Sequence, residues 1–390
     1  MKIEQIDFFY LAMPEILNIG DGSQDALLVR VQGGGYTGWG ECETSPLVSI
    51  ANWVTPMSHS ASRSIKDVIL GREINGPEDI RKFHIEARGI GMDIAQTDHT
   101  LSGVDIALWD WLGKAKGEPV FSLLGHKKTF PRTPYASALF GNTPQETLEK
   151  GRKYRELGYK AVKFGWGPFG TTTVAEDEGQ LKAAREGIGL DGILLVDAGT
   201  VWKWDVKDAH KRSDILRKYN TEWLEEPFIG PAIESYKELR ALSSVKLAGG
   251  EGAHNFFEAK HLIDYGNIDY VQVDAGRIGG LTTATEVADY ALQKGVVYVN
   301  HTFTSQLALS ASLQPYAGHP GELICEYPVE PKSLGNEITT NRLEKDTNGL
   351  VHLPELPGLG MEVDIENCKK YLQNVEIKFN GKVLYSTPPF

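Results

Sequence analysis

Three carboxylates occupy equivalent places in this chain: Asp197 closes the apolar run GILLVD, Glu225 closes TEWLE, and Glu251 follows LAGG. Alternate residues of a strand share a face, which puts Asp197 with Ile193 and Leu195, and Glu225 with Trp223. If these runs are neighbouring parallel strands that end at one mouth, three anions converge where water is scarce, and a cation must compensate them. Hard oxygen donors favour Mg²⁺, which keeps positions open for water and substrate oxygens. Any one of these acids reads equally well as a helix N-cap or a solvated strand end; the three together read as a metal site. Glu226 has the opposite parity and is expected to face the helix layer, outside the ligand set.

Two further runs end in a complementary pair. Asp274 follows YVQV and His301 follows VVYVN. An Asp partner fixes the imidazole tautomer and raises its basicity, as a base for proton abstraction near neutral pH requires. His301 is the one histidine of ten that ends such a run; His210, His254 and His261 fall in helical stretches and read as surface or packing. Lys163, at the end of KAVK, places a cation where an anionic substrate needs one, the competing reading being a snorkelling surface lysine. Glu326 ends ELICE and could share a proton with substrate or with the metal's water. Asn300, beside His301, and Trp166, just beyond Lys163, complete the expected substrate contacts; Trp202 and Trp204 could equally stack on a sugar or pack.

These positions make sense on one scaffold. From Arg132 to Glu326, short apolar runs alternate with amphipathic stretches eight times: YASAL, KAVKFG, GILLVDA, TEWLEE, VKLAGGE, DYVQVD, VVYVNH and ELICE. That is the pattern of parallel strands joined by crossover helices, and eight is the barrel number. The expectation is an α/β chain, a (β/α)7–8 TIM-type barrel over residues 129–345. Residues 1–128 read as an α+β capping domain, and residues 346–390 as a segment that packs back on it. Thr143, Pro144 and Glu146 predict a capping box at the first crossover helix. Gly33, Gly35 and Gly38 match GxGxxG, but the strand-like TGWGE follows them where a phosphate-binding helix would have to start, so a hairpin turn is expected.

Bulk properties exclude other classes. A formal charge of −12 disfavours a nucleic-acid partner, which requires clustered Lys and Arg. The sequence contains no apolar stretch of about 18 residues and no basic-then-apolar leader, so no membrane partner and a cytoplasmic location are expected. Cys42, Cys325 and Cys368 are odd in number and widely spaced, against a disulfide framework or zinc cluster.

The chain resembles the enolase superfamily, in its mandelate racemase/muconate lactonizing enzyme branch, nearly end to end. The resemblance is carried by SGVDIALWDWLGKAKGEPVFSLLG (Ser102 to Gly125), then VDAG, WLEEP, AGGE, QVDAGRIGG, NH and the closing PGLGM. It implies that Asp197, Glu225 and Glu251 hold Mg²⁺, that His301 with Asp274 is the acid/base dyad, that Glu326 contacts substrate, and that the protein is a homo-oligomer acting on a small carboxylate. One departure matters: racemases of this branch carry Lys-x-Lys on the second barrel strand, whereas this chain has Lys163-Phe164-Gly165. Gly165 shares the face of Lys163, so open space is expected where a second base would stand. One base suffices for dehydration. The expected reaction is that of an acid-sugar dehydratase, in which His301 takes the proton α to a carboxylate and returns it to a departing β-hydroxyl. A cycloisomerase or epimerase using the same enediolate, and an idle metal-binding barrel, are the alternatives. Capping-domain loops Glu15 to Gln24 and Glu43 to Ser60 contain no Lys or Arg, which favours a monocarboxylic aldonate.

Overall fold

The computed structural model describes residues 1–390. Three antiparallel strands open the chain, β1 (Gln5–Ala12), β2 (Asp25–Gly33) and β3 (Tyr36–Cys42), in the order β1-β2-β3. The glycine-rich run is a two-residue hairpin loop: Gly33 pairs with Tyr36, and Gly34 and Gly35 take φ of 57° and 82°. Both central residues at positive φ match the right-handed twist of the hairpin. Helices Pro46–Val54, Pro77–Ile90 and Thr97–Lys116 follow, and the last packs on β3.

All eight expected runs form one parallel sheet: β4 (Thr133–Leu139), β5 (Ala161–Gly165), β6 (Ile193–Asp197), β7 (Thr221–Glu225), β8 (Lys246–Gly249), β9 (Tyr270–Asp274), β10 (Val297–His301) and β11 (Ile324–Pro328). They are ordered β10-β9-β8-β7-β6-β5-β4-β11. Inside, Tyr135, Ala161, Leu195, Trp223, Ala248 and Val299 form a buried cluster, the packed interior of a barrel rather than a pore. Because side chains alternate, the same strands present polar groups at the level above this cluster, which fixes the height of the site.

The first crossover helix (Pro144–Glu156) starts at Thr143, whose side chain accepts from Glu146 N. The return bond goes to Asn142 N instead of Thr143 N, correcting the full box expected there; the next helix, Val174–Ile188, has both bonds, between Thr173 and Glu176. The C-terminal residues lie on the capping sheet: Leu372 bridges Leu11, Tyr385 donates its hydroxyl to Phe8 O, and Phe390 stacks on Phe9 at 4.2 Å. No helix is long and apolar enough to cross a membrane.

Candidate active site

A cavity of about 250 Å³ opens at the C-terminal ends of the barrel strands. Its barrel side is lined by Lys163, Gly165, Trp166, Asp197, Glu251, Arg277 and His301, and its capping side by Ile19 to Gly22 and Glu43. The expected specificity loops therefore contribute unequally. The first supplies four wall residues, whereas the second supplies only Glu43, because Pro46–Val54 winds into a helix.

Register brings the acids together. Gly165, Asp197 and Glu225 are paired across β5, β6 and β7, so they stand at one height. Lys163 Nζ lies 2.7 Å from Glu225 Oε1, 2.8 Å from Glu326 Oε1 and 3.5 Å from Asp197 Oδ2. It is 4% exposed, so the snorkelling alternative is excluded. Burial would lower its pKa, but Glu225 and Glu326 outweigh burial and hold it well above the usual lysine range. Asp197 and Glu225 are raised to about 6 and about 8, by burial first, with Lys163 opposing and the neighbouring carboxylates adding to the rise. Glu251 is held down at about 2: burial would raise it, but His301 and Arg277 prevail.

Those values test whether a cation belongs here. As the side chains lie, no three carboxylates or histidines stand in metal-ligating geometry; Lys163, His301 and Arg277 hold the acids apart. The donor set nonetheless suits a hard divalent ion, since Asp197, Glu225 and Glu251 offer only oxygens, and burial together with the neighbouring carboxylates makes charge on Asp197 and Glu225 costly without such an ion.

His301 Nδ1 is 2.7 Å from Asp274 Oδ2, in adjacent register on β9 and β10, while Asp274 Oδ1 accepts from Gly276 N at 2.6 Å. Nε2 lies 3.1 Å from Glu251 Oε2. Burial would lower the imidazole pKa, but Glu251, Glu326 and Asp274 raise it to about 10. His210 and His261 are helical as expected; His254 instead precedes the helix Phe256–Gly266.

Two of the expected substrate contacts, Glu326 and Asn300, lie outside the cavity lining. Glu326 is fully buried, with Oε1 receiving Ser137 Oγ and Lys163 and Oε2 receiving Thr302 N. Its place is to hold Lys163, 4.0 Å short of His301 Nε2, instead of reaching into the cavity. Asn300, also fully buried, faces the seam between β10 and β11, where the strand ladder is interrupted. Its amide donates to Glu326 O, Thr302 and Ser312, and its oxygen accepts from Glu326 N and Tyr316. That side chain closes the barrel, and no donor or acceptor is left for substrate. Asn300→Leu would strand several buried partners at about 1–3 kcal/mol each. Unfolding in denaturant is therefore expected to show a loss of several kcal/mol, whereas a variant with unchanged stability and a raised KM would restore the substrate role. Gly165 lines the cavity as expected, but a Cβ there would lie 2.9 Å from both Cβ and Oδ2 of Asp197, so a longer side chain could enter that space only if Asp197 shifted.

Trp166 does line the cavity, 45% exposed and at φ 55°, whereas Trp202 is buried against Phe169 and Trp204 projects outward. Its indole sits between the Gly20 and Gly199 backbones, where added Cβ atoms would lie 3.0 and 2.8 Å from the ring. Sequence reasoning missed Arg277 and Glu43. Arg277 follows the end of β9, and its two terminal nitrogens reach Glu251 (3.1 Å) and Glu43 (3.2 Å). The only signal was its place three residues after Asp274.

The barrel with its cap and this constellation define a TIM-barrel enzyme whose site lies under a capping domain. Residues 146–367 match the enolase C-terminal domain-like family, and residues 14–125 the mandelate racemase/muconate lactonizing enzyme N-terminal domain. The chain belongs to the mandelate racemase/muconate lactonizing enzyme family of the enolase superfamily. It is 31% identical to L-talarate/galactarate dehydratase of Salmonella typhimurium, over 81% of this chain and 75% of that one. It is 28% identical to D-galactarolactone cycloisomerase of Agrobacterium fabrum, over 85% and 86%. A crystal structure described as a predicted mandelate racemase, from Rhodobacter sphaeroides, superposes with a TM-score of 0.95 at 50% identity, covering 99% of both chains. The curated relatives of the chain include acid-sugar dehydratases, cycloisomerases and a racemase.

Proposed function

We propose that the protein is a Mg²⁺-dependent acid-sugar dehydratase, a cytoplasmic hydro-lyase that converts a sugar acid to its 2-keto-3-deoxy product. The observation that carries this reading is the one-sidedness of the site. His301, held by Asp274 behind it, lines the cavity, and the position from which a Lys-x-Lys base would act is Gly165, which has no side chain and abuts Asp197. Inversion at carbon needs proton traffic on both faces, whereas elimination needs abstraction from one. Asp197, Glu225 and Glu251 would hold Mg²⁺, which would supply a Lewis acid for the substrate carboxylate. Glu251, the carboxylate that most strongly keeps His301 protonated, would be compensated by that ion, which would free Nε2 to take the α-proton while Asp274 orients the ring; Lys163, fixed by Glu225 and Glu326, would stabilise the charge that develops on the carboxylate oxygens.

A library of acid sugars incubated with Mg²⁺ in D₂O tests the reading. Keto acid from one or two aldonates is the expected result. The Agrobacterium fabrum relative supports a second reading, a cycloisomerase, which deuterium exchange or lactone conversion without keto acid would favour instead.

The same geometry predicts what restoring the racemase pattern does. Gly165→Lys would push the Asp197 carboxylate off its position, so Mg²⁺ affinity is expected to fall about 10–100-fold with no gain of stereoinversion. Calorimetric titration and polarimetry check both; a racemising variant with intact Mg²⁺ binding would overturn the account of Gly165.

A further inference from the structure

One acid in the cavity has no part in the chemistry described so far. Glu43 comes just after β3, on the capping domain, yet it is docked on the barrel: its N–H donates to Gly276 O at 3.1 Å, and its Oε1 accepts from Arg277 Nη2 at 3.2 Å. A Cβ on Gly276 would lie 2.8 Å from Glu43 N and 3.0 Å from Asp274 Oδ1, so this glycine lets the capping-domain acid approach the dyad closely. Glu43 borders the main cavity together with His301. It also borders a small pocket behind the dyad, shared with Asp274 and His301, which puts it on the wall that carries the base.

Its second oxygen is uncommitted. Oε2 takes no hydrogen bond from the protein, while the side chain is only 19% exposed and lines the space a substrate must fill. Burial, opposed by Arg277 and assisted by Asp274, lifts the carboxyl to about 7, where it can hold a proton and release it near neutral pH. The cations that could have claimed it are engaged elsewhere or shared: Lys163 with Glu225 and Glu326, and Arg277 with Glu251 as well as Glu43. The cavity that Glu43 borders is the one lined by Lys163, Asp197 and His301, so a substrate held there meets all four walls.

We propose that Glu43 is the general acid that protonates the departing β-hydroxyl. The proposal rests on the dehydratase reading and deepens it. His301 takes the α-proton, and the C–H electron pair moves into the enediolate. The Glu43 Oε2–H bond then breaks as its proton joins the β-oxygen. The Cβ–O pair leaves with that oxygen as water, and the enediolate pair forms the Cα=Cβ bond of an enol that ketonises to the 2-keto acid. No oxidant or second reactant enters. His301 keeps the α-proton and Glu43 becomes the carboxylate, each returning to its starting state through solvent. Dividing the work spares His301 a second transfer during one turnover.

The two half-reactions can be read separately. In D₂O, Glu43→Gln is expected to keep solvent exchange of the α-proton within about threefold of wild type, while keto acid formation falls about 10²–10³-fold. A substrate with fluoride in place of the β-hydroxyl needs no acid to leave, so this variant should eliminate fluoride at near the wild-type rate. Glu43→Ala should behave alike, which keeps the test open if the Gln variant folds poorly. Exchange and elimination falling by one common factor in a variant that melts like wild type would overturn the proposal. So would a raised KM with unchanged kcat, the signature of a hydroxyl contact without proton transfer. If wild type exchanges the α-proton and forms no keto acid from any acid sugar, the dehydratase reading itself falls, and the acid role of Glu43 with it.

Discussion

Replacing His301 by Asn is expected to reduce exchange of the substrate α-proton at least 10³-fold while leaving Mg²⁺ affinity nearly unchanged. Positioned proton transfer contributes about 10²–10⁴-fold to such reactions, and the cavity has no second imidazole to take over. The substitution is close to isosteric at Nδ1, so an amide can still donate to Asp274, whose other oxygen stays fixed by Gly276 N. The geometry of the wall is preserved and only the capacity to accept a proton is removed. Metal affinity is the control, because Glu251, the one proposed ligand that touches His301, keeps Arg277 as its partner. Deuterium incorporation followed by NMR and calorimetric Mg²⁺ titration give the two readouts. Exchange that persists in this variant would move the base elsewhere in the site.

Periodicity made the barrel legible, because a buried parallel strand must be a short apolar run and its last inward residue must point at the mouth. Asp197, Glu225, Asp274 and His301 were singled out that way, and the structure brings them to the barrel mouth; parity stops short of Glu226, which leaves the strand at φ 39° and is lifted by burial and by Glu251, Asp197 and Glu225. Parity cannot say whether an inward position is vacant. Gly165 was expected to leave room and does line the cavity, yet parity could not show that its neighbour across the register, Asp197, crowds the place of its Cβ. Nor can it distinguish a side chain that serves the site from one that serves the fold: Asn300 sits beside His301 in sequence, but one residue of strand turns it to the opposite side, where it mends the β10–β11 seam. Glu43 and Arg277 were illegible for a different reason. Each is defined by a contact between domains more than 200 residues apart, and no local pattern encodes such a pairing.

Lys163→Met is expected to cost a large part of the stability, and the loss should depend on metal. Glu225 and Glu326 are both fully buried, and Lys163 is the cation they share. Removing one partner of a buried ion pair costs about 3–5 kcal/mol because the other charge stays desolvated. Against a total stability of about 5–15 kcal/mol, that is a large fraction. Denaturant unfolding in chelator should therefore show a loss of about that size. Adding Mg²⁺ should narrow the gap between variant and wild type, since a divalent ion among the same carboxylates replaces the missing charge and ligand binding stabilises by about 2.7 kcal/mol at a hundredfold excess over Kd. Glu326→Gln in the Lys163→Met background should then recover part of the loss, by removing one stranded carboxylate while its amide still meets Ser137. Three equal, metal-independent losses would mean that the lysine acts through packing alone. A metal-dependent loss with recovery in the double variant makes Lys163 the counterion that keeps the site folded in chelator as well as the cation that steadies the substrate carboxylate.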